Sequence, residues 1–144
     1  MLVSQILKSK GNGDVLTIQP DATVGQAAAV LSERRVGSLV VSRDGRRPLG
    51  ILSERDIVRE IGRRGGACLH DSVESLMTRA LVTCRRGDDA DAVLGQMTDG
   101  RFRHLPVLEG EEMVGLISIG DVVKARLSEL AMERDALEGM VKGF

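Results

Sequence analysis

The chain is written twice. Gly50 to Arg59 reads GILSERDIVR and Gly115 to Lys124 reads GLISIGDVVK, an offset of 65, with Gly, Ser, Asp and one Val identical and four further positions conservatively exchanged. Upstream the copies continue at an offset of 66, pairing Thr17 with Thr83, Val24 with Ala90, Leu31 with Met97, Val36 with Phe102 and Leu39 with Leu105. The one-residue difference falls in a turn, Ser42 to Pro48 against Leu108 to Met113, where a hairpin changes length without moving its strands. A duplication on this scale makes each copy one supersecondary unit, too small to cover its own apolar surface.

Each copy reads as the same series of elements. A short strand at Val15 to Ile18, or Leu81 to Cys84, precedes a helix at Val24 to Arg34, or Ala90 to Gly100. The first of these helices carries Val24, Ala27, Ala28 and Leu31 at helical spacing. Two strands follow, Ser38 to Val41 with Leu49 to Leu52, and Leu105 to Leu108 with Val114 to Ile117. Their continuous apolar runs predict strands covered on both faces or packed under helices. A second helix begins at Glu54 or Ile119. Val3 to Leu7 suggests a short leading helix, Gly11-Asn12-Gly13 a loop, and Gly62-Arg63-Arg64-Gly65-Gly66 a linker. The predicted class is α/β (α+β): two β-α-β-β-α repeats packed about a pseudo-twofold axis with a cleft between them. The expected divisions are 1–61 for the first repeat with the leading helix, 62–74 for the linker, 75–127 for the second repeat and 128–144 for a helical tail.

Composition excludes several functions. With a formal net charge of -1 and Arg doublets scattered at 34–35, 46–47, 63–64 and 85–86, no basic face gathers for nucleic acid, and the doublets read as solvated surface. The only aromatic residues are Phe102 and Phe144, so base-stacking platforms are missing and Phe102 reads as core. No apolar run is long enough for a bilayer span or a signal peptide, which predicts a soluble, cytoplasmic protein. Cys68 and Cys84 lack metal-ligand spacing and read as free thiols, and Cys68-Leu69-His70 reads as linker. His70 and His104 stand near no nucleophile motif, and Asp88, Asp89 and Asp91 look like the first turn of a helix. There is no phosphate-binding glycine loop of either common type. No enzyme is predicted.

The motif Gly-apolar-apolar-Ser-x-x-Asp occurs at Gly50, Ser53 and Asp56, and again at Gly115, Ser118 and Asp121. It lies at a strand-to-helix junction. One reading is a capping box, in which the hydroxyl accepts the backbone N–H three residues on and the carboxylate reaches back. Against this, capping boxes favour Glu or Gln at the fourth position and require no Gly, yet both copies have Asp and both have Gly. The other reading is a ligand site: a short Asp beside a hydroxyl and free N–H groups can accept both protons of a ribose diol, with phosphate near the helix N-terminus.

The repeat and its paired motifs resemble a tandem cystathionine-β-synthase (CBS) domain pair, or Bateman module. GILSERDIVRE, RFRHLPV and GLISIGDVVK are similar to segments of stand-alone bacterial members, and the match spans nearly the whole chain. The resemblance implies that Ser53 with Asp56, and Ser118 with Asp121, hold ribose and phosphate. It also implies that Gly37, Ser38, Leu39 and Val40, and Arg103, His104, Leu105 and Pro106, offer backbone groups to adenine, with Thr17 and Thr83 bordering the base. Leu105-Pro106-Val107 matches the usual apolar-Pro-Val, whereas the first copy has Leu39-Val40-Val41, and Glu54-Arg55 stands against Ile119-Gly120. Two non-equivalent sites are therefore expected. Arg55 would serve phosphate or form a helix-surface ion pair, and Arg103 and His104 would serve phosphate or face solvent from a strand edge.

The implied function is a regulatory, signal-transducing module without catalytic cofactor that binds AMP, ADP, ATP, NAD(H) or S-adenosylmethionine. The implied assembly is a homodimer that acts on an unidentified effector protein. The rival is a ligand-free interaction module. Its support is the tail, where Val123, Leu127, Leu130, Arg134, Leu137 and Val141 follow the 4-3-4-3-4 spacing of a short coiled coil, interrupted by Arg134. That face either lies on its own domain or meets a second copy.

Overall fold

The computed structural model describes residues 1–11 and 15–142, so Asn12 and Gly13 of the expected loop, and Phe144, lie outside the described residues. In order, the described elements are α1 (Val3–Lys10), β1 (Thr17–Ile18), α2 (Val24–Arg34), β2 (Ser38–Val41), β3 (Gly50–Ser53) and α3 (Glu54–Arg64). A 3-10 helix (Gly65–His70) follows, then α4 (Val73–Leu76), α5 (Ala90–Gly100), β4 (His104–Glu109), β5 (Glu112–Ser118) and α6 (Ile119–Val141). The segment read as a linker is helical. Gly62, Arg63 and Arg64 complete α3, and Gly65 takes φ 74°, where a side chain would be strained.

The packing divides into two compact units, one of residues 15–82 with 109–114, the other of 1–11, 83–108 and 115–142. In the first, β1 runs parallel to β2 (Thr17 beside Val40, Ile18 beside Val41), and β2 runs antiparallel to β3 (Ser38 beside Ser53, Val41 beside Gly50). All four β2 residues are buried, the apolar run Leu39-Val40-Val41 together with the polar Ser38. Val24, Ala27 and Leu31 of α2 close over Leu39, Val41 and Leu52, joined by Ile57, Val73 and Met77. Thr23 and Gln26 start α2 with a reciprocal cap, and Arg35 ends it in the left-handed conformation.

The second unit repeats this plan with one loss. Asp89 caps α5 and Arg101 ends it at φ 59°, as Thr23 and Arg35 do for α2 at an offset of 66. The strand expected at Leu81 to Cys84, however, shrinks to a single parallel bridge between Cys84 and Val107. In the first copy the Val40 amide donates to the Leu16 carbonyl (3.3 Å) and the Ser42 amide to Ile18 (3.0 Å). The counterpart of Val40 is Pro106, which has no N–H to give, so only the bond matching the second survives, from the Leu108 amide to Cys84 (2.9 Å).

Each unit is completed by the short helix that precedes the other copy. Val3-Ser4-Gln5-Ile6-Leu7 of α1 answers Val73-Glu74-Ser75-Leu76-Met77, which is α4 with its C-cap, and the first two amides of each helix are held alike. The Val3 and Ser4 amides donate to the Asp88 and Arg86 carbonyls (2.9 and 3.0 Å), while those of Val73 and Glu74 donate to Ala22 and Pro20 (2.8 and 3.0 Å). Packing thus groups α1 with the second copy, although in sequence it precedes the first. This contact explains the motif glycines. A Cβ on Gly50 would stand 2.6 Å from Met77 Sδ and 2.8 Å from the Thr78 carbonyl oxygen, and one on Gly115 would stand 2.6 Å from Leu7 Cδ2.

Gly50→Ala is therefore expected to cost about 1–3 kcal/mol of unfolding free energy through overpacking. Gly139→Ala, where a Cβ would meet nothing within 4 Å, should gain roughly 0.5–1 kcal/mol from helix propensity. Urea unfolding of the two variants beside the parent measures both signs.

Candidate functional site

β3 runs directly into α3, and β5 into α6, with Ser53 and Ser118 as the last strand residue and the N-cap at once. The first amide of each helix is satisfied by the residue that precedes the neighbouring strand: Glu54 donates to the Gly37 carbonyl and Ile119 to that of Arg103, both at 2.9 Å. The third is satisfied by the hydroxyl, since Asp56 N–H donates to Ser53 Oγ (3.2 Å) and Asp121 N–H to Ser118 Oγ (3.0 Å). In return the Ser53 and Ser118 amides donate to Oδ2 of Asp56 (3.0 Å) and Asp121 (2.9 Å). Both motifs are thus complete capping boxes, with Asp at the place where Glu or Gln is usual.

Capping uses only part of each carboxylate. An ionised carboxylate has about four acceptor sites, and the cap takes one. Asp56 and Asp121 keep 17% and 21% of their side-chain surface exposed, enough for contact from outside.

The copies differ in what else touches the acid. Asp56 Oδ1 meets Arg59 Nη1 at 3.7 Å, an i,i+3 pair whose arginine is 70% exposed and so contributes little. Asp121 Oδ2 meets Lys10 Nζ at 2.7 Å, and the same ammonium donates to the Leu116 carbonyl (2.8 Å). Burial pushes the Asp121 carboxyl upward, but the hydrogen bond from Lys10, the Ser118 amide and the Lys10 charge outweigh it and hold it below its ordinary value.

Around these acids the expected residues stand as two sets, one in each unit. In the first copy Thr17 is beside Val40 and Ser38 beside Ser53, with Ser38, Leu39 and Val40 buried and Gly37 half-buried at the head of α3. Arg55 is exposed. In the second, Leu105 and Pro106 are buried, His104 and Thr83 are half-buried, and Arg103 is exposed with its carbonyl committed to α6. The ring of Phe102 lies over Gly100, where a Cβ would be 2.3 Å away.

Sequence reasoning missed Lys10 and Arg59, the cations that meet the two acids. The recurrence of VSQIL as VESLM was the available signal for the first, because it places residues 3–10 against the motif strand. Asp56 and Arg59 also border a surface hollow of about 630 Å³ on α3. Its other arginines are paired, Arg63 with Glu60 (3.2 Å) and Arg64 with Glu60 and Asp71. The Cys84 thiol is pushed up to about 11 by burial, aided by the Asp88 charge, so it stays protonated at neutral pH.

The family model of the CBS domain matches residues 3–63 and 73–128. The chain belongs to that family and carries the domain twice. It is 34% identical over 148 residues to a mitochondrial CBS domain-containing protein of Arabidopsis thaliana, CBSX3, covering 98% of this chain and 72% of the relative. Among solved structures, a CBS-domain containing protein from Agrobacterium tumefaciens superposes with a TM-score of 0.83 at 43% identity, over 88% of this chain and 99% of that one. A CBS domain protein from Pyrobaculum aerophilum, complexed with AMP, gives 0.77 at 28% identity over 92% of this chain and 99% of that one. Among the described residues no helix is long and apolar enough to cross a membrane.

The acid response tests the pairing of Asp121 with Lys10. Because the folded Asp121 carboxyl titrates below its unfolded value of roughly 3.9, its contribution is complete above that pH and is lost as the pH falls through the folded value. Urea unfolding should show the gap between parent and Asp121→Asn narrowing from about pH 6 to about pH 3. A gap independent of pH would contradict the Lys10 pairing.

Proposed function

We propose that this protein is a non-catalytic regulatory module that responds to an adenine nucleotide, with Asp56 and Asp121 each accepting the two hydroxyls of a ribose. One observation carries the reading: at both junctions a partly exposed carboxylate spends a single acceptor site of Oδ2 on its cap, and its Oδ1 takes no part in that cap. The presence of AMP in the Pyrobaculum aerophilum relative supports the ligand class. AMP, ADP, ATP, NAD(H) and S-adenosylmethionine all carry the adenosine that the motif would grip. Gly37 to Val40 and Arg103 to Pro106 would meet the adenine edge, Thr17 and Thr83 would border it, and Arg55, Arg103 and His104 would serve phosphate. Each charged hydrogen bond contributes about 1.5–3 kcal/mol, so a bidentate diol contact supplies much of a micromolar affinity.

Calorimetric titration with AMP and with 2′-deoxy-AMP separates this from a purely structural motif, because the deoxy analogue leaves the protein untouched. AMP should bind at micromolar concentration, and the deoxy form about tenfold or more weaker. Equal affinities would refute the diol contact. An absence of heat with every adenine ligand would favour the second reading, a ligand-free interaction module in which the Ser–Asp pairs only cap helices.

That module, and the nucleotide sensor equally, needs a surface through which to act. α6 buries only Val122 and Ala125, then projects Leu127 and Leu137 at 62% and 63% exposure, with Val123, Leu130 and Val141 on the same seam. These exposures favour a face that meets a second copy over one that lies on its own unit. We assign the seam to a second copy of the chain, since its coiled-coil spacing is self-complementary, and place the dimer in the cytoplasm with an effector protein as the reader. Leu127→Glu with Leu137→Glu should halve the mass measured by light scattering. An unchanged mass would remove the seam from the dimer.

A further inference from the structure

We propose that Lys10 is a latch on the second copy's ribose site, so that the first copy fills first and the second fills only when Lys10 leaves. The inference rests on the nucleotide reading above and adds an order of filling and the residue that sets it.

The argument starts from acceptor arithmetic. Each carboxylate oxygen offers about two acceptor sites. At Asp121 both sites of Oδ2 are taken, one by the Ser118 amide at 2.9 Å and one by Lys10 Nζ at 2.7 Å. A diol that uses both carboxylate oxygens must therefore displace the ammonium. At Asp56 the cap takes one site of Oδ2, and among the described residues the cation paired with it is Arg59, on the other oxygen, longer at 3.7 Å and mostly exposed. A diol meets little competition there.

The asymmetry is built into the repeat. Where α1 carries Lys10, the matching position after α4 is Ala80, which has no charge to offer. The matching carbonyls are also held differently. Ile51 accepts the backbone amide of Thr78 at 2.8 Å, whereas Leu116, its partner at an offset of 65, accepts Lys10 Nζ at 2.8 Å. Lys10 thus stands in for a fixed backbone group with a side chain that can swing away. Because α1 is anchored by buried Val3 and Ile6 and by Leu7 over Gly115, release need move only the lysine side chain, and Gly11 behind it takes φ 85° at the helix end.

Titration with AMP in an Asp56→Asn background isolates the second copy. Adding Lys10→Met, which keeps the aliphatic stem and removes the charge, should tighten AMP by about three- to tenfold, and Lys10→Arg should restore the weaker binding. Structural damage would weaken binding, not tighten it. An unchanged or weaker affinity in Lys10→Met, with AMP still bound by the parent, overturns the latch and leaves the nucleotide reading in place. An absence of binding in the parent and in Lys10→Met alike overturns the nucleotide reading, and the latch with it.

Discussion

A helix that starts on the last residue of a strand leaves its first backbone N–H groups without partners, and in this protein one Ser–Asp pair satisfies them at each of the two places where it happens. The hydroxyl accepts the third amide, the carboxylate takes back the serine amide, and the carbonyl just before the adjoining strand takes the first. Replacing such a cap costs on the order of 1 kcal/mol, so the pair has a structural reason to exist before any ligand is considered. The same arrangement fixes two carboxylates at a rigid junction, short enough in side chain to hold one geometry. Capping and ligand binding are therefore compatible uses of one residue, because the cap occupies a single acceptor site.

The exchanged short helices make the rest of the motif intelligible. Leu7 and Met77 press on the Cα of Gly115 and Gly50, so a side chain at either glycine would collide with a helix that belongs, in sequence, to the other copy. The glycine is thus a consequence of close packing and not of an unusual backbone angle, since neither residue has positive φ. Through that contact each copy's motif strand is tied to the opposite end of the repeat, and Lys10 reaches Asp121 only because α1 lies there.

Much of this was legible in the residues. The 65 and 66 offsets located both helices at Val24–Arg34 and Ala90–Gly100 and put the length change in the hairpin, where Gly45 and Gly110 both take positive φ. Continuous apolar runs marked β2 as fully buried. What could not be read depended on chemistry at single positions or on contacts distant in sequence. Pro106 silenced one ladder bond and so reduced a strand to a bridge, an effect visible only once its parallel partner was known. The VSQIL and VESLM echo was too short to stand apart from chance without the hydrogen bonds that match it. The capping box, weighed as the rival of ligand binding, is present in both copies, and the preference for Glu or Gln at its fourth position did not forbid it, since an Asp on this junction reaches the serine amide.

The central claim is that the capping carboxylates also hold a ribose. Backbone amide resonances followed by two-dimensional NMR during addition of AMP test it at the residues themselves. The account predicts that the Ser53 and Asp56 amides shift first and those of Ser118 and Asp121 only at higher concentration. Shifts confined to other parts of the chain, with all four of these amides unmoved at saturation, would contradict it.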